Sequence, residues 1–358
     1  MGSTDTSPFY RVLIVDDAEL AVDMLSTIFS YSTDFSVVGI ARNGREGVEM
    51  AQQLSPDLIT MDLHMPIMDG YDAVEEIMSK APASIFVITS HREAETAFRC
   101  INSGALEVMD KPDLDCLKNP TFIRRFLDQA RLLASTKVIR RPCSRRKIPQ
   151  PVSSKAISPV SSKALSPVPA RADHLLAIAS STGGPQALHR IFVSLPKDFP
   201  AAILVVQHLA KGFERGLVSW LSKASKVSVK LAEDKDVLRA GTIFIAPPDI
   251  HVGVGEDRCV RYIDAEPIAG HRPSAKYLFE SGADVYGPEC TGLILTGMGS
   301  DGAKALGQIK LAGGLTLAQD EQSSIIYGMP KVAVELGSAK EVISIDSIPS
   351  RLIDWVGN

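Results

Sequence analysis

Cysteine is scarce in this chain: five residues in 358, at Cys100, Cys116, Cys143, Cys259 and Cys290, with no C-x-x-C pair. An odd count without metal-type spacing argues against a disulfide framework or a zinc site and for reduced structural thiols. Aromatic residues make up only 6 % of the chain, and the formal net charge is −4. So small a charge carries no electrostatic signature of nucleic-acid or membrane-surface binding. No apolar run is long enough to span a bilayer, and the N-terminus lacks the apolar core of a secretion signal. These absences lead to the expectation of a cytoplasmic protein with no membrane insertion, long enough for two domains with full cores.

Between about Ala134 and Ala172 large apolar residues also become rare. The segment contains "IRRPCSRRK" and then a near-perfect eight-residue repeat, "PVSSKAIS" followed by "PVSSKALS". Proline, serine and lysine cannot bury enough surface to offset the entropy of ordering. We read 134–172 as a flexible basic linker, with a docking site for an acidic partner as the sharper alternative.

Before the linker, strand-like and helix-like segments alternate about five times. "RVLIVDD", "FSVVGIA", "PDLITMD", "SIFVITS" and "LEVMDKP" read as strands, and an amphipathic helix closes the unit near Leu133. This alternation predicts a parallel sheet covered by helices on both faces. Ligands in such sheets sit outside the carboxyl ends of the strands, where Asp16, Asp17 and Asp62 all fall. Three converging carboxylates with open water positions suit Mg²⁺. Thr89 and Lys111, also at strand ends, add a hydroxyl and a cation, so a carboxylate here is placed to take a phosphoryl group.

"VDD", "MDLHMPIMDG", "ITS" and "DKP" resemble, in order and spacing, the receiver domain of two-component response regulators over residues 9–133. The resemblance implies a flavodoxin-like five-stranded fold with Asp62 as phospho-acceptor. It implies Asp17, Asp62 and the main-chain carbonyl of His64 as Mg²⁺ ligands, with Asp16 holding metal-bound water and Thr89 and Lys111 contacting the phosphate. The His64 side chain receives no role.

After the linker, "LILTGMGSDGA" runs from an apolar strand into a glycine turn. Gly297, Gly299 and Gly302 spell G-x-G-x-x-G, and Asp320 follows about 20 residues on, the pattern of a dinucleotide cradle. A nicotinamide-dependent enzyme is therefore one reading, and a non-catalytic output module another. A second glycine turn, "SSTGGP", follows the strand of "HLLAIA". It lacks the lysine of a P-loop and the G-x-S-x-G of an α/β-hydrolase elbow. Ser181, His208 and Asp301 each follow an apolar strand at the same expected sheet edge. A serine hydroxyl becomes nucleophilic when a histidine takes its proton, and the histidine needs an anion to fix its tautomer.

"SSTGG", "VVQHL", "IAPPDIH", "HRPSA", "LILTGMGSDGA" and "QDEQSSIIYGMP" together resemble the catalytic domain of the chemotaxis protein-glutamate methylesterase (CheB) family. With the receiver and linker, the likeness covers nearly the whole chain. It implies a doubly wound, mostly parallel α/β domain over residues 173–358. The implied enzyme is a serine hydrolase that removes methyl groups from glutamate esters on chemoreceptors, releasing methanol, and deamidates receptor glutamines. Ser181 is then the nucleophile, His208 the base and Asp301 its partner, with Thr182 and Met298 beside the oxyanion. Methyl-accepting chemoreceptors are the implied substrates and the chemotaxis histidine kinase CheA the phosphodonor; the esterase chemistry itself implies no cofactor. His271 in "HRPSA" is a rival base. The family's "GAST" reads "ASST" here, which puts Ala179 in place of a glycine and leaves Ser180 and Ser181 adjacent.

Overall fold

The computed structural model describes residues 10–90, 93–136 and 171–357. Most of the expected linker, with its repeat and Cys143, lies outside the described residues.

The first unit contains β1 (Tyr10–Val15), α1 (Glu19–Ser30), β2 (Phe35–Ala41), α2 (Gly44–Leu54), β3 (Leu58–Met61), α3 (Gly70–Lys80), β4 (Ser84–Thr89), α4 (Ala94–Ser103), β5 (Glu107–Asp110) and α5 (Pro120–Ser135). Its five strands are parallel, in the order β2-β1-β3-β4-β5. Strand order reverses between β1 and β3, so a crevice opens there at the carboxyl ends. Local chemistry sets the helix starts. Asn43 caps α2 by accepting from the Glu46 N–H, while Glu46 reaches back to the Arg42 N–H. Asn119 caps α5, whose first residue, Pro120, has no N–H to satisfy.

The second unit contains β6 (His174–Ser180), α6 (Gly184–Ser194), β7 (Ala201–Gln207), α7 (Glu214–Ala224), β8 (Ser228–Leu231), β9 (Thr242–Ile245), β10 (His251–Val254), β11 (Val260–Ile263), α8 (Ala275–Tyr286), β12 (Cys290–Ile294), α9 (Leu306–Leu311), β13 (Leu315–Gln319), α10 (Met329–Glu335), β14 (Glu341–Ile343) and α11 (Ile348–Gly357). Seven parallel strands run β14-β13-β12-β6-β7-β9-β8, and β10 and β11 form a separate antiparallel pair. β6 and β7 are buried almost throughout, as parallel strands covered on both faces must be. The order reverses at β6, between β12 and β7. The turns after β6 and β12 therefore flank this unit's crevice.

α9 does not follow directly on the glycine turn of "LILTGMGSDGA". The chain from Asp301 to Ala305 is turn, with Gly302 at φ +75°, and helix begins only at Leu306. Of the described cysteines, Cys100, Cys259 and Cys290 are buried and none is paired. Burial pushes the Cys100 thiol up to about 12, which makes it unreactive.

The two units pack directly against each other. Phe98 of α4 stacks on Trp220 of α7 at 5.7 Å and meets Phe213 edge-on at 6.4 Å. Glu95 accepts from Ser219 Oγ at 2.8 Å and pairs with Lys223. The helices approach so closely that a Cβ on Gly216 would stand 2.5 Å from the Ala94 Cβ.

Candidate active site

In the first crevice, Asp16, Asp17 and Asp62 bring carboxylate oxygens within 4.8 Å of one another. Lys111 Nζ lies 2.9 Å from Asp16 Oδ2 and 2.9 Å from Asp62 Oδ2. Burial pushes the Asp16 carboxyl up, and the charge of Asp62 adds to this, although Lys111 pulls the other way. Burial alone would lower the Lys111 ammonium, but its bonds to both aspartates win and hold it above its usual value. One lysine among three carboxylates leaves negative charge in excess. That donor set, all hard oxygen, fits a divalent cation. Gly70 of "MDG" is required by packing: a Cβ there would fall 2.0 Å from the Asp62 carbonyl oxygen. The Thr89 hydroxyl donates to Glu93 Oε2 at 3.1 Å. The exposed His64 ring lies 3.5 Å from Glu93 Oε1.

The second crevice holds Ser181, His208 and Asp301 around one cavity of about 890 Å³. Ser181 leaves β6 on a turn whose N–H donates to the Thr296 carbonyl at 3.1 Å, which ties it to the end of β12. Gly297 passes beneath; a Cβ there would stand 2.7 Å from Ser181 Cβ and 2.6 Å from Met329 Sδ. His208 follows β7 by one residue, and its Nε2 is 2.9 Å from Asp301 Oδ2. The same carboxylate accepts from Ser274 Oγ and from the Ala275 N–H at 2.7 Å. Burial works against the Asp301 charge, but these three donors outweigh it and hold the carboxyl below its usual range. With Nε2 donating to Asp301, His208 keeps its lone pair on Nδ1, which is buried and has no partner among the described residues. Thr182 and Met298 line the same cavity.

Position separates the adjacent serines and the two histidines. Ser180 is fully buried and donates to Gln207 Oε1 at 2.7 Å, whereas Ser181 faces the cavity. Ala179 pairs within the sheet with Ile294 and Val206, so no glycine is needed there. His271, the rival base, stacks flat on His208, with centroids 3.9 Å apart and planes 8° apart. Burial, with the neighbouring His208, pushes His271 down to about 4. Asp320 lies apart from this constellation: its carboxylate accepts from the Ser323 N–H and hydroxyl.

Sequence reasoning missed Gln207 and Glu107. Gln207 Nε2 donates to the Ser181 carbonyl at 3.0 Å and the His208 carbonyl at 2.9 Å, so one amide joins the two turns. The only signal for it was a polar residue ending an otherwise apolar strand. Glu107 belongs to β5 of the first unit yet lines the cavity of the second, beside Arg125 and Gln129.

The fold and site define a two-domain protein, with a receiver unit docked on an α/β unit whose crevice gathers a serine, a histidine and an aspartate. Residues 176–352 match the CheB methylesterase family and residues 12–119 the response regulator receiver domain. A protein-glutamate methylesterase/protein-glutamine glutaminase of Anaeromyxobacter dehalogenans is 41 % identical over 96 % of each chain. One of Myxococcus xanthus is 42 % identical, again over 96 % of each. The crystal structure of the Thermotoga maritima CheB methylesterase catalytic domain is 38 % identical, covering 51 % of this chain and 97 % of that one, with a TM-score of 0.49. The chain belongs to the CheB methylesterase family.

Gly297→Ala is expected to displace Ser181 and slow its labelling by a fluorophosphonate probe by about 10²-fold, with the circular dichroism spectrum unchanged. His271, held near 4, stays neutral through the physiological range. Its neutral form contributes fully above the ordinary histidine value of 6.5, and that contribution is lost as pH falls toward about 4. In an imidazole NMR titration, His271 is expected to show no midpoint between about pH 6 and 8.

Proposed function

We propose that this protein is a phosphorylation-regulated hydrolase that demethylates glutamate methyl esters on chemoreceptors and deamidates receptor glutamines. The observation that carries this reading is the buried His208–Asp301 pair sharing a cavity with Ser181. Further support comes from the family and from the names of its relatives, which supply the substrate class.

Ser181 Oγ attacks the side-chain ester carbonyl while His208 Nδ1 takes its proton. The imidazolium so formed is stabilised through Nε2 by Asp301. His208 returns the proton to the leaving oxygen, and methanol departs. Water then attacks the acyl-serine with His208 again as base, which releases the glutamate carboxylate and restores Ser181. With a glutamine side chain the leaving group is ammonia. Donors around Thr182 and Met298 face the developing oxyanion, a contribution worth about 3–4 kcal/mol per donor in a studied protease.

The receiver regulates access. Glu107, Arg125 and Gln129 already line the cavity, so the first unit stands at the mouth of the esterase site. A phosphoryl group on Asp62, supplied by the chemotaxis histidine kinase CheA, shifts the population toward an open state. Mg²⁺ held by Asp17, Asp62 and the His64 carbonyl, with Asp16 through water, would supply charge neutralisation for that transfer; Lys111 and Thr89 hold the phosphate. The protein acts in the cytoplasm on receptor segments exposed there; no helix among the described residues is long and apolar enough to cross a membrane. We assign residues 9–133 to the receiver, 134–172 to the linker and 173–358 to the esterase.

Ser181→Ala is expected to abolish methanol release from methylated receptor; undiminished turnover would refute the assignment. Asp62→Asn is expected to leave the rate without phosphodonor intact and remove the rise that a phosphodonor produces in the wild type.

A further inference from the structure

The motif "IAPPDIH" ends at His251, a histidine that takes no part in the proposed chemistry and does not line the cavity. His251 opens β10 and is fully buried, with its ring 4.5 Å from that of Tyr277 on α8. Both ring nitrogens are engaged. Nδ1 accepts from the Ser274 N–H at 3.0 Å, and Nε2 lies 3.1 Å from the Glu266 carbonyl oxygen. A ring nitrogen that accepts from an N–H carries no proton itself, so the proton sits on Nε2 and donates to Glu266.

Ser274 immediately precedes α8 and is fully buried as well. Its hydroxyl donates to Asp301 Oδ1, and the same oxygen accepts from the Lys276 N–H at 3.2 Å. The next N–H, of Ala275, donates to Asp301 Oδ2 at 2.7 Å; that oxygen also stands 2.9 Å from His208 Nε2. Two of the donors to Asp301 therefore stand on the one backbone segment that His251 holds. That segment has little room to shift: a Cβ on Gly302, next to Asp301, would stand 2.8 Å from the Ala275 Cβ.

Resting on the function proposed above, we infer that His251 is a positioning residue of the esterase. Its Nδ1 fixes the Ser274–Ala275 backbone, which aims a hydroxyl and an N–H at Asp301, and Asp301 in turn orients His208. No proton passes along this chain, and His251 touches neither substrate nor nucleophile. Without Nδ1 the buried Ser274 N–H loses its acceptor, and the segment gains by turning toward another. A buried carboxylate keeps its place only while its donors keep theirs, and His208 follows the carboxylate.

The test uses the full chain with acetyl phosphate, Mg²⁺ and a methylated receptor fragment, for the wild type, His251→Asn and His251→Phe. The Asn Oδ1 stands as many bonds from the backbone as Nδ1 and keeps the acceptor for Ser274. Phenylalanine keeps a ring against Tyr277 and removes both nitrogens. His251→Phe is expected to lower kcat for methanol release by about 10²-fold while KM stays within about twofold. His251→Asn is expected to bring kcat back to within about fivefold of the wild type. A fully active His251→Phe protein would overturn the inference, because ring packing would then suffice. A His251→Asn protein as slow as His251→Phe also overturns it, because the acceptor would then be irrelevant.

Two NMR measurements need no catalysis. Imidazole nitrogen shifts of the wild type are expected to show His251 protonated on Nε2; protonation on Nδ1 overturns the inference whatever the variants do. The downfield proton of the His208–Asp301 bond is expected to move in His251→Phe and to keep its place in His251→Asn. A signal that stays put in His251→Phe overturns the inference. If phosphorylated wild type releases no methanol, the proposed function fails, and these two signals still judge the hold of His251 on Asp301.

Discussion

One carboxylate holds the esterase site together. Asp301 ties His208, the Ser274 hydroxyl and the Ala275 N–H to a single point, joining the turn after β12, the residue after β7 and the start of α8. A buried charge survives only where donors satisfy it, and three do so here. Each of those donors is fixed in turn by the aspartate. His208 therefore cannot turn without leaving a buried anion underpaired. The tautomer that keeps the lone pair on Nδ1 follows from this constraint.

Gln207 applies the same logic to the turn that carries Ser181. Its amide accepts from Ser180 and donates to the carbonyls of Ser181 and His208, so the two turns are held as one piece. Gly297 completes the support by bringing backbone against Ser181 Cβ. The glycines of "LILTGMGSDGA" shape a turn as a dinucleotide cradle would. Asp301 sits where a phosphate would be repelled, and Asp320, which occupies the ribose-acid position in the pattern, closes its own local turn with Ser323. The resemblance to a cofactor fingerprint was one of backbone shape.

The two domains meet through materials of different kinds. α4 and α7 interlock by aromatic stacking and the close approach at Gly216. At the cavity the contact is polar, with Glu107 and Gln129 lining it and Arg125 reaching the carbonyls of Ala269 and Gly270. Apolar packing is non-directional and gives the interface adhesion. Polar pairs in a buried setting are costly to break singly, which makes the boundary a place where a small rearrangement has a sharp consequence.

Much of this was legible in the sequence. Continuous apolar runs ending in Asp16, Asp17, Asp62 and His208 disclosed parallel strands with chemistry at their carboxyl ends, because burial on both faces demands such runs. The glycine turns after β6 and β12 were visible for the same reason. The sequence alone determined the five strands of the first unit, the sheet class and the residue types at the strand ends it named, all of which are local properties of the chain; the further strands of the second unit came only with the structure. Tertiary structure decided which of two adjacent serines faces the cavity, that His271 lies flat on His208, that Gln207 spans two turns, and that Glu107 crosses a domain boundary. These are relations between residues 26 to more than 70 positions apart. No period or motif encodes them, because they arise only when separate strands are brought to one edge and two cores are pressed together.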